Sequence, residues 1–204
     1  MLFTETLHPE TLALLRRLQS LEELSQLRLV GGTALALQLG HRKSIDLDLF
    51  GNVDIPFEEL NLIISEFADV QQVSCSKRMC FLIVNGVKVD IVNYPYQWIE
   101  EPIIENGLVL AGVQDIAAMK LSAITNRGTK KDFIDYFFLL KKFSLLELID
   151  FYKQKYPNPS IFSSLKSLVY FADAEQDPMP VMLKYAEWDD VKKTMTTAVE
   201  EYLQ

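Results

Sequence analysis

Residues 31–50, GGTALALQLGHRKSIDLDLF, decide the fold of this chain. Two glycines follow a short apolar run at 27–30, and an apolar segment then continues to Gly40, a residue type common at the C-terminal ends of helices. Residues 44–50 alternate apolar and polar side chains, which is the period of a strand with one buried face. This order predicts a strand, a glycine turn, a short buried helix and a second strand.

The glycine turn is a candidate anion site. Gly31 and Gly32 let a ligand approach the backbone closely, and a helix that begins here presents unpaired N–H groups to a phosphate. Glycine is also common in strand-to-helix turns with a purely structural role. Taken alone, the pair leaves both interpretations open.

Two carboxylates lie two residues apart in the strand predicted at 44–50. Asp46 and Asp48 therefore share one face, while Ile45 and the neighbouring leucines share the other. Carboxylate oxygen is the protein ligand that magnesium prefers, alongside water and substrate phosphate. An isolated pair of acids with this spacing also fits a solvated strand edge.

Asp90 supplies a third carboxylate. It lies in a strand predicted at 87–92, directly after Asn85-Gly86, a strong signal for a two-residue hairpin turn. A third acid on a neighbouring strand would complete a site for two metal ions that supports in-line phosphoryl transfer. Considered by itself, Asp90 fits an exposed acid on an edge strand equally well.

The pattern of apolar residues divides the chain into an α/β front half and a helical back half. We expect an α+β protein with residues 1–110 as the α/β core and residues 111–204 as a helical region packed on that core. Further strands are predicted at 70–75 and 79–84, and helices at 9–25, 33–39, from 56, at 113–126, 130–142, 144–155, 160–172 and 188–203.

Composition limits the class of protein. The 204 residues carry a net charge of −8, which disfavours a broad nucleic-acid surface but leaves room for a local basic patch. Cys75 and Cys80 are expected to be reduced thiols, because two cysteines make no disulfide framework. With neither a signal peptide nor an apolar run of membrane-spanning length in the sequence, a cytoplasmic protein without a membrane partner is expected.

The order of these motifs resembles the polymerase β-type nucleotidyltransferase superfamily. Residues 31–50 are similar to the signature of the AbiEii/AbiGii toxin-type nucleotidyltransferases of abortive-infection systems. Residues 115–120, DIAAMK, and Arg127 with residues 131–135, KDFID, resemble the second conserved block of that family. The resemblance implies a polymerase β-like core, a mixed sheet with flanking helices, followed by a helical C-terminal half.

The resemblance also implies roles for individual residues. Asp46 and Asp48 would bind two Mg²⁺ ions, or Mn²⁺, while Asp90 would bind one of them and help to activate the attacking hydroxyl. Arg42 either reaches a phosphate or pairs with a carboxylate, and Asp132 also fits a helix-capping pattern with Thr129. The predicted nucleotide-binding residues are Gly31, Gly32, Thr33, Arg42, Ser44, Lys120 and Asp132.

The implied activity is transfer of a nucleoside monophosphate from a nucleoside triphosphate to an acceptor. The resemblance implies transfer RNA as the acceptor and a separate antitoxin protein that restrains the enzyme. The acidic charge and the short helical half keep two alternatives open. One is a nucleotidyltransferase for a small hydroxylated molecule or a protein side chain; the other is a catalytically silent interaction protein.

Overall fold

A seven-stranded mixed sheet forms the centre of the computed structural model, which describes residues 1–204. The strands are β1 (Arg28–Val30), β2 (Leu47–Gly51), β3 (Val70–Cys75), β4 (Met79–Val84), β5 (Val87–Asn93), β6 (Ile103–Glu105) and β7 (Leu108–Leu110). They lie in the order β3-β4-β5-β2-β1-β7-β6. The α+β class expected from the sequence is confirmed.

Eight α-helices surround the sheet or follow it. They are α1 (Pro9–Gln19), α2 (Gly31–Leu39), α3 (Phe57–Ser65), α4 (Val113–Asn126), α5 (Lys130–Leu140), α6 (Leu145–Lys155), α7 (Ile161–Leu168) and α8 (Trp188–Leu203). Helix α4 packs against α2, α5, α6 and α7, so it connects the sheet side of the molecule with the last helices. No helix has the length and apolar character needed to cross a membrane.

Strand β2 is the central element of the sheet. It pairs antiparallel with β1 and parallel with β5, and its residues alternate between buried and half-buried positions. The register places Asp48 beside Val30 on one neighbour and beside Asp90 on the other. The end of β1, the acidic face of β2 and Asp90 are thereby brought to one location.

Helix α2 is held against the core over nearly its whole length. It begins at Gly31, whose φ is +68°, and ends before Gly40, whose φ of +62° is the left-handed conformation of a helix C-cap. Its apolar residues belong to one hydrophobic cluster that also includes Leu49 of β2 and Phe133 of α5. Front-half and back-half residues therefore share a core.

Some predicted boundaries are wrong. The helix predicted at 9–25 ends at Gln19, and β2 begins at Leu47 rather than at 44, so Ile45 is 69% exposed instead of buried. Residues before β2 instead meet a distant segment, where Arg42 forms a bridge with Met182. Strands β6 and β7 were not predicted.

The cysteine prediction is also wrong. Cys75 and Cys80 are joined by a disulfide, where the sequence suggested two reduced thiols. The β3–β4 register places the two residues directly opposite each other, a relation that the cysteine count alone does not reveal.

Candidate active site

A small polar pocket of about 90 Å³ lies where β2, β5 and the start of α2 meet α4 and α5. No hydrophobic residue lines it. The three predicted metal-binding aspartates and every predicted nucleotide-binding residue except Asp132 are in its wall, together with three further cationic residues. The lining residues are Gly31, Gly32, Thr33, Arg42, Ser44, Asp46, Asp48, Lys88, Asp90, Lys120, Arg127 and Lys131.

Asp48 is the most perturbed acid of the pocket. Burial, reinforced by the negative charge of Asp90, raises the pKa of Asp48 to about 6. A side chain at Gly31 would collide with the Asp48 carboxylate, and the positive φ of Gly31 disfavours any other residue as well. The glycine turn and the aspartate thus fit together only because residue 31 lacks a Cβ atom.

Asp90 and Asp46 complete the acidic face. Oδ2 of Asp90 accepts from Lys88 Nζ at 2.7 Å, whereas its Oδ1 is buried without a hydrogen-bond partner. Asp46 directly precedes β2, and its carboxylate lies 3.5 Å from Lys131 Nζ. The face therefore combines a carboxyl of raised pKa with an unsatisfied carboxylate oxygen, both of which a cation would stabilise.

This donor set fits a divalent cation of the magnesium type. Magnesium usually takes only one or two protein carboxylates and completes its shell with water and substrate phosphate oxygens. Within the protein itself, no three acidic, histidine or cysteine side chains form a closed ligand group. Asp48 and Asp90, in register on adjacent strands, are the pair from which such a site would be built, with Asp46 beside them.

Behind the pocket lies a buried network of charged side chains. Asp135 accepts from Arg42 Nε at 2.7 Å and Nη2 at 2.9 Å, from His41 Nε2 at 2.8 Å, and from Lys120 Nζ at 2.6 Å. Lys120 also donates to Asp132 at 2.9 Å. Lys120 thus bridges two carboxylates, and the network joins the segment after α2 to helices α4 and α5.

The network keeps its two aspartates and Lys120 charged. Although burial opposes ionisation, Lys120 and Arg42 hold the pKa of Asp135 well below its ordinary value, and Lys120, Thr129 and Arg127 lower the pKa of Asp132 to about 2. The two aspartates in turn raise the pKa of Lys120 above its ordinary value despite its burial. Lys120 is therefore a fixed positive charge at the wall of the pocket.

Arg42 has a defined place in this network. Of the two roles left open by the sequence, the structure contains the carboxylate pair, with Asp135 as the partner. The guanidinium also lies so close to Gly32 that a Cβ atom there would collide with it. The Arg42 guanidinium can therefore occupy its position beside the turn only because residue 32 is glycine.

Asp132, Thr33 and Ser44 are turned into the protein. Asp132 is fully buried behind Lys120 and accepts from Thr129 Oγ1 at 2.6 Å; its own N–H donates to the Thr129 carbonyl at 2.9 Å, so the predicted capping bond to the Thr129 side chain is absent. Thr33 Oγ1 donates to the carbonyl of Asp46 and lies 2.8 Å from Ser44 Oγ. These hydroxyls position the chain that leads into β2.

Comparisons with known proteins indicate the family of this chain. The family described as nucleotidyl transferase AbiEii toxin, type IV toxin–antitoxin system, matches residues 13–74. The uncharacterized protein aq_aa25 of Aquifex aeolicus is 36% identical over 196 residues, which is 93% of this chain and 94% of that protein. This chain belongs to the AbiEii nucleotidyltransferase family.

Two solved structures share the fold over nearly the whole chain. JHP933 from Helicobacter pylori has a TM-score of 0.60 at 19% identity, with 96% of this chain and 92% of that chain covered. MenT4, a nucleotidyltransferase toxin from Mycobacterium tuberculosis, has a TM-score of 0.52 at 19% identity, with 95% and 86% covered. The front half and the helical back half are both included in the shared fold.

An aromatic chamber beside the polar pocket of this AbiEii-family protein was missed by the sequence analysis. It has a volume of about 340 Å³ and shares Asp48, Asp90 and Lys120 with the pocket. Its apolar wall includes Tyr94 and Tyr156, whose hydroxyls lie 3.0 Å apart. The aromatic run NYPYQW at 93–98 was the only signal in the sequence, because its partner, Tyr156, follows 62 residues later.

His41 was also missed. A histidine beside a helix-ending glycine reads as a surface residue, yet its side chain is fully buried against Asp135. Burial lowers the pKa of His41, although Asp135 opposes that shift. Only the fold could reveal this contact, because the partners lie 94 residues apart in sequence.

Proposed function

We propose that this AbiEii-family protein is a metal-dependent nucleotidyltransferase that moves a nucleoside monophosphate from a nucleoside triphosphate to an acceptor. The main support is the position of two aspartates. Asp48 and Asp90 are register partners on adjacent strands, and both line one polar pocket together with Gly31. A purely structural or docking role gives no reason for a buried carboxylate oxygen that lacks a hydrogen-bond partner, such as Oδ1 of Asp90.

Asp46, Asp48 and Asp90 are the residues that would hold Mg²⁺ or Mn²⁺. Such ions neutralise charge on the triphosphate and favour ionisation of the attacking hydroxyl. The acceptor oxygen attacks the α-phosphorus, the bond from that phosphorus to the β-phosphate bridging oxygen breaks, and pyrophosphate leaves. Asp90, whose Oδ1 has no hydrogen-bond partner in the protein, would take the proton of the acceptor hydroxyl.

Lys120 and the glycine turn of the pocket would bind and orient the nucleotide. Lys120 provides a fixed positive charge beside the carboxylates, and the backbone at Gly31 and Gly32 is open to phosphate oxygens. Arg42 and Asp132 would act through Lys120 or the turn rather than by direct contact, because Asp135 already binds the Arg42 guanidinium and Asp132 does not line the pocket. The nucleobase fits the aromatic chamber, where Tyr94 and Tyr156 offer stacking surfaces.

Transfer RNA is the acceptor that we propose first, with a cognate antitoxin as the restraining partner of a toxin. The support is family membership, since the family description is that of a toxin in a toxin–antitoxin system. The net charge of −8 supports a second candidate, a small hydroxylated and cationic acceptor, because acidic surfaces repel polyanions.

A label-transfer assay tests the proposal and separates the two acceptors. The protein and its Asp48→Asn variant are incubated with Mg²⁺, each α-labelled nucleoside triphosphate, and either a transfer RNA pool or a mixture of small hydroxylated amines. We expect stable label on one acceptor pool with the wild type and none with the variant. Label on transfer RNA selects the first acceptor; label on the amines selects the second. Equal labelling by both proteins, or none by either, contradicts the proposed activity.

A further inference from the structure

Two exposed lysines form ion pairs with the carboxylates that would hold the metal. Lys88 Nζ lies 2.7 Å from Asp90 Oδ2, and Lys131 Nζ lies 3.5 Å from Asp46 Oδ2. Their side chains are 54% and 46% exposed, and both line the polar pocket. Neither lysine has a part in the activity as derived above.

We propose that Lys88 and Lys131 are exchangeable counter-ions of the active site, which neutralise Asp90 and Asp46 in the free protein and move to the triphosphate when a divalent cation takes the carboxylates. This inference rests on the proposed nucleotidyltransferase function. It adds two triphosphate-binding residues to that function and explains how the acidic face is balanced before substrate arrives.

The backbone fixes the position of Lys88. Lys88 and Asp90 are two residues apart on β5, so their side chains leave the same face of the sheet. Asp90 in turn is the register partner of Asp48. The ammonium group is therefore tethered within reach of the carboxylates, and a flexible four-carbon stem lets it move by several ångströms without any change in the backbone.

Lys120 differs from the two exposed lysines in its capacity to move. Its side chain is almost fully buried and donates to both Asp132 and Asp135, so withdrawal would leave two buried carboxylates with less compensation. Lys88 and Lys131 each have a single carboxylate partner and a solvated side chain, and such pairs contribute little free energy. Breaking the lysine–carboxylate pair therefore costs little free energy for Lys88 and Lys131, and much more for Lys120.

If lysine and metal compete for the same carboxylate, removal of the lysine should change the affinities for metal and for triphosphate in opposite directions. If Lys88 competes for Asp90, its removal tightens the binding of a divalent cation in the absence of nucleotide. If Lys88 then binds phosphate, its removal weakens the binding of a triphosphate at saturating cation. A lysine that only stabilises the strand would change both affinities in the same direction or leave both unchanged.

The test measures Mn²⁺ binding and nucleotide binding separately. Mn²⁺ affinity is determined by electron paramagnetic resonance without nucleotide, and affinity for nucleoside triphosphates by calorimetry at saturating Mn²⁺. For Lys88→Met we expect Mn²⁺ to bind about fivefold tighter and triphosphate about fivefold more weakly, the scale of an exposed ion pair. Lys131→Met should change both affinities in the same directions by smaller factors, because its pair is longer.

Two variants serve as controls. Lys193→Met removes the same charge from an exposed site on α8 that has no ion pair, so both affinities should equal those of the wild type. Lys88→Arg keeps the charge, so triphosphate affinity should stay near the wild-type value. Circular dichroism verifies that each variant is folded.

The outcomes distinguish the inference from the function on which it rests. Wild-type binding of Mn²⁺ and triphosphate, with Lys88→Met unchanged or weakened for both, overturns the exchange and leaves the nucleotidyltransferase proposal intact. If the wild type binds neither Mn²⁺ nor any triphosphate, both the exchange and the nucleotidyltransferase proposal are overturned. Opposite shifts in Lys88→Met, absent from Lys193→Met, support the exchange.

Discussion

Gly31 couples the backbone of the turn to the acidic face. Its φ of +68° disfavours residues with a side chain, and a Cβ atom would also collide with the Asp48 carboxylate. Gly86 has a similar φ of +79° but no atom within 4 Å of the position that its Cβ would take. Substitutions at Gly31 and Gly86 therefore separate the effect of backbone strain from the effect of displacing the Asp48 carboxylate.

We predict that Gly31→Ala and Gly86→Ala each lower the free energy of unfolding by about 1 kcal/mol through backbone strain. Only Gly31→Ala should also impair Mn²⁺ binding, because Asp48 must move to admit the methyl group. Urea denaturation and Mn²⁺ titration check the two effects. Equal Mn²⁺ affinity in the two variants would show that the close approach of Gly31 to Asp48 has no bearing on the site.

At the scale of single helices, Asp132 ties α5 to α4 through Lys120. Its folded-state pKa of about 2 is below the value near 3.9 expected for an unfolded chain. The ion pair thus contributes stability that is fully present above about pH 4 and is lost as the pH falls through about 2, by an amount on the order of 2 kcal/mol.

The free energy of unfolding should accordingly fall between pH 4 and pH 2, and fall less steeply in Asp132→Asn. Urea denaturation at a series of pH values measures both slopes. Asp150→Asn is the matched control, since Asp150 forms an exposed pair with Lys153 and should leave the slope unchanged. A slope in Asp132→Asn as steep as in the wild type would contradict the assignment.

Elements with a strong local signal could be predicted from the sequence. Strands β3 and β4 and helices α4 and α8 have the predicted boundaries, because regular apolar spacing and the Asn85-Gly86 turn are local properties. The β6–β7 hairpin has the same kind of turn, Asn106-Gly107 with positive φ at both residues. It escaped prediction because its strands of three residues are too short to display a period.

The candidate site was predictable to a similar extent. The spacing of Asp46 and Asp48 and the glycine turn could be recognised because each is a pattern within a short stretch of sequence. The partners of Asp135 were not, since His41 and Arg42 reach it only after α2 and α5 have packed together. Lys88 and Lys131 reveal their ion pairs only once Asp46 and Asp90 have been placed in space.

On the scale of the whole molecule, the division into residues 1–110 and 111–204 remains a proposal about sequence organisation. One hydrophobic cluster contains residues from both halves, and the buried network crosses the same boundary. We therefore predict a single cooperative unfolding transition for the whole chain.

The two tryptophans allow a direct measurement. Trp98 lies in the front half and Trp188 in the back half, so Trp188→Phe and Trp98→Phe each leave one fluorescent reporter. Within each variant, urea transitions followed by fluorescence and by circular dichroism should coincide. Separate fluorescence and circular-dichroism midpoints in either variant would show that the halves unfold independently.

Calorimetric titration of each nucleoside triphosphate with Mg²⁺, on the wild type and on Asp48→Asn, decides whether the protein has a metal–nucleotide site. We expect the wild type to bind at least one triphosphate, and Asp48→Asn to lose that binding while it remains folded by circular dichroism. Equal affinity in the two proteins, or binding by neither, would contradict a metal–nucleotide site built on Asp48.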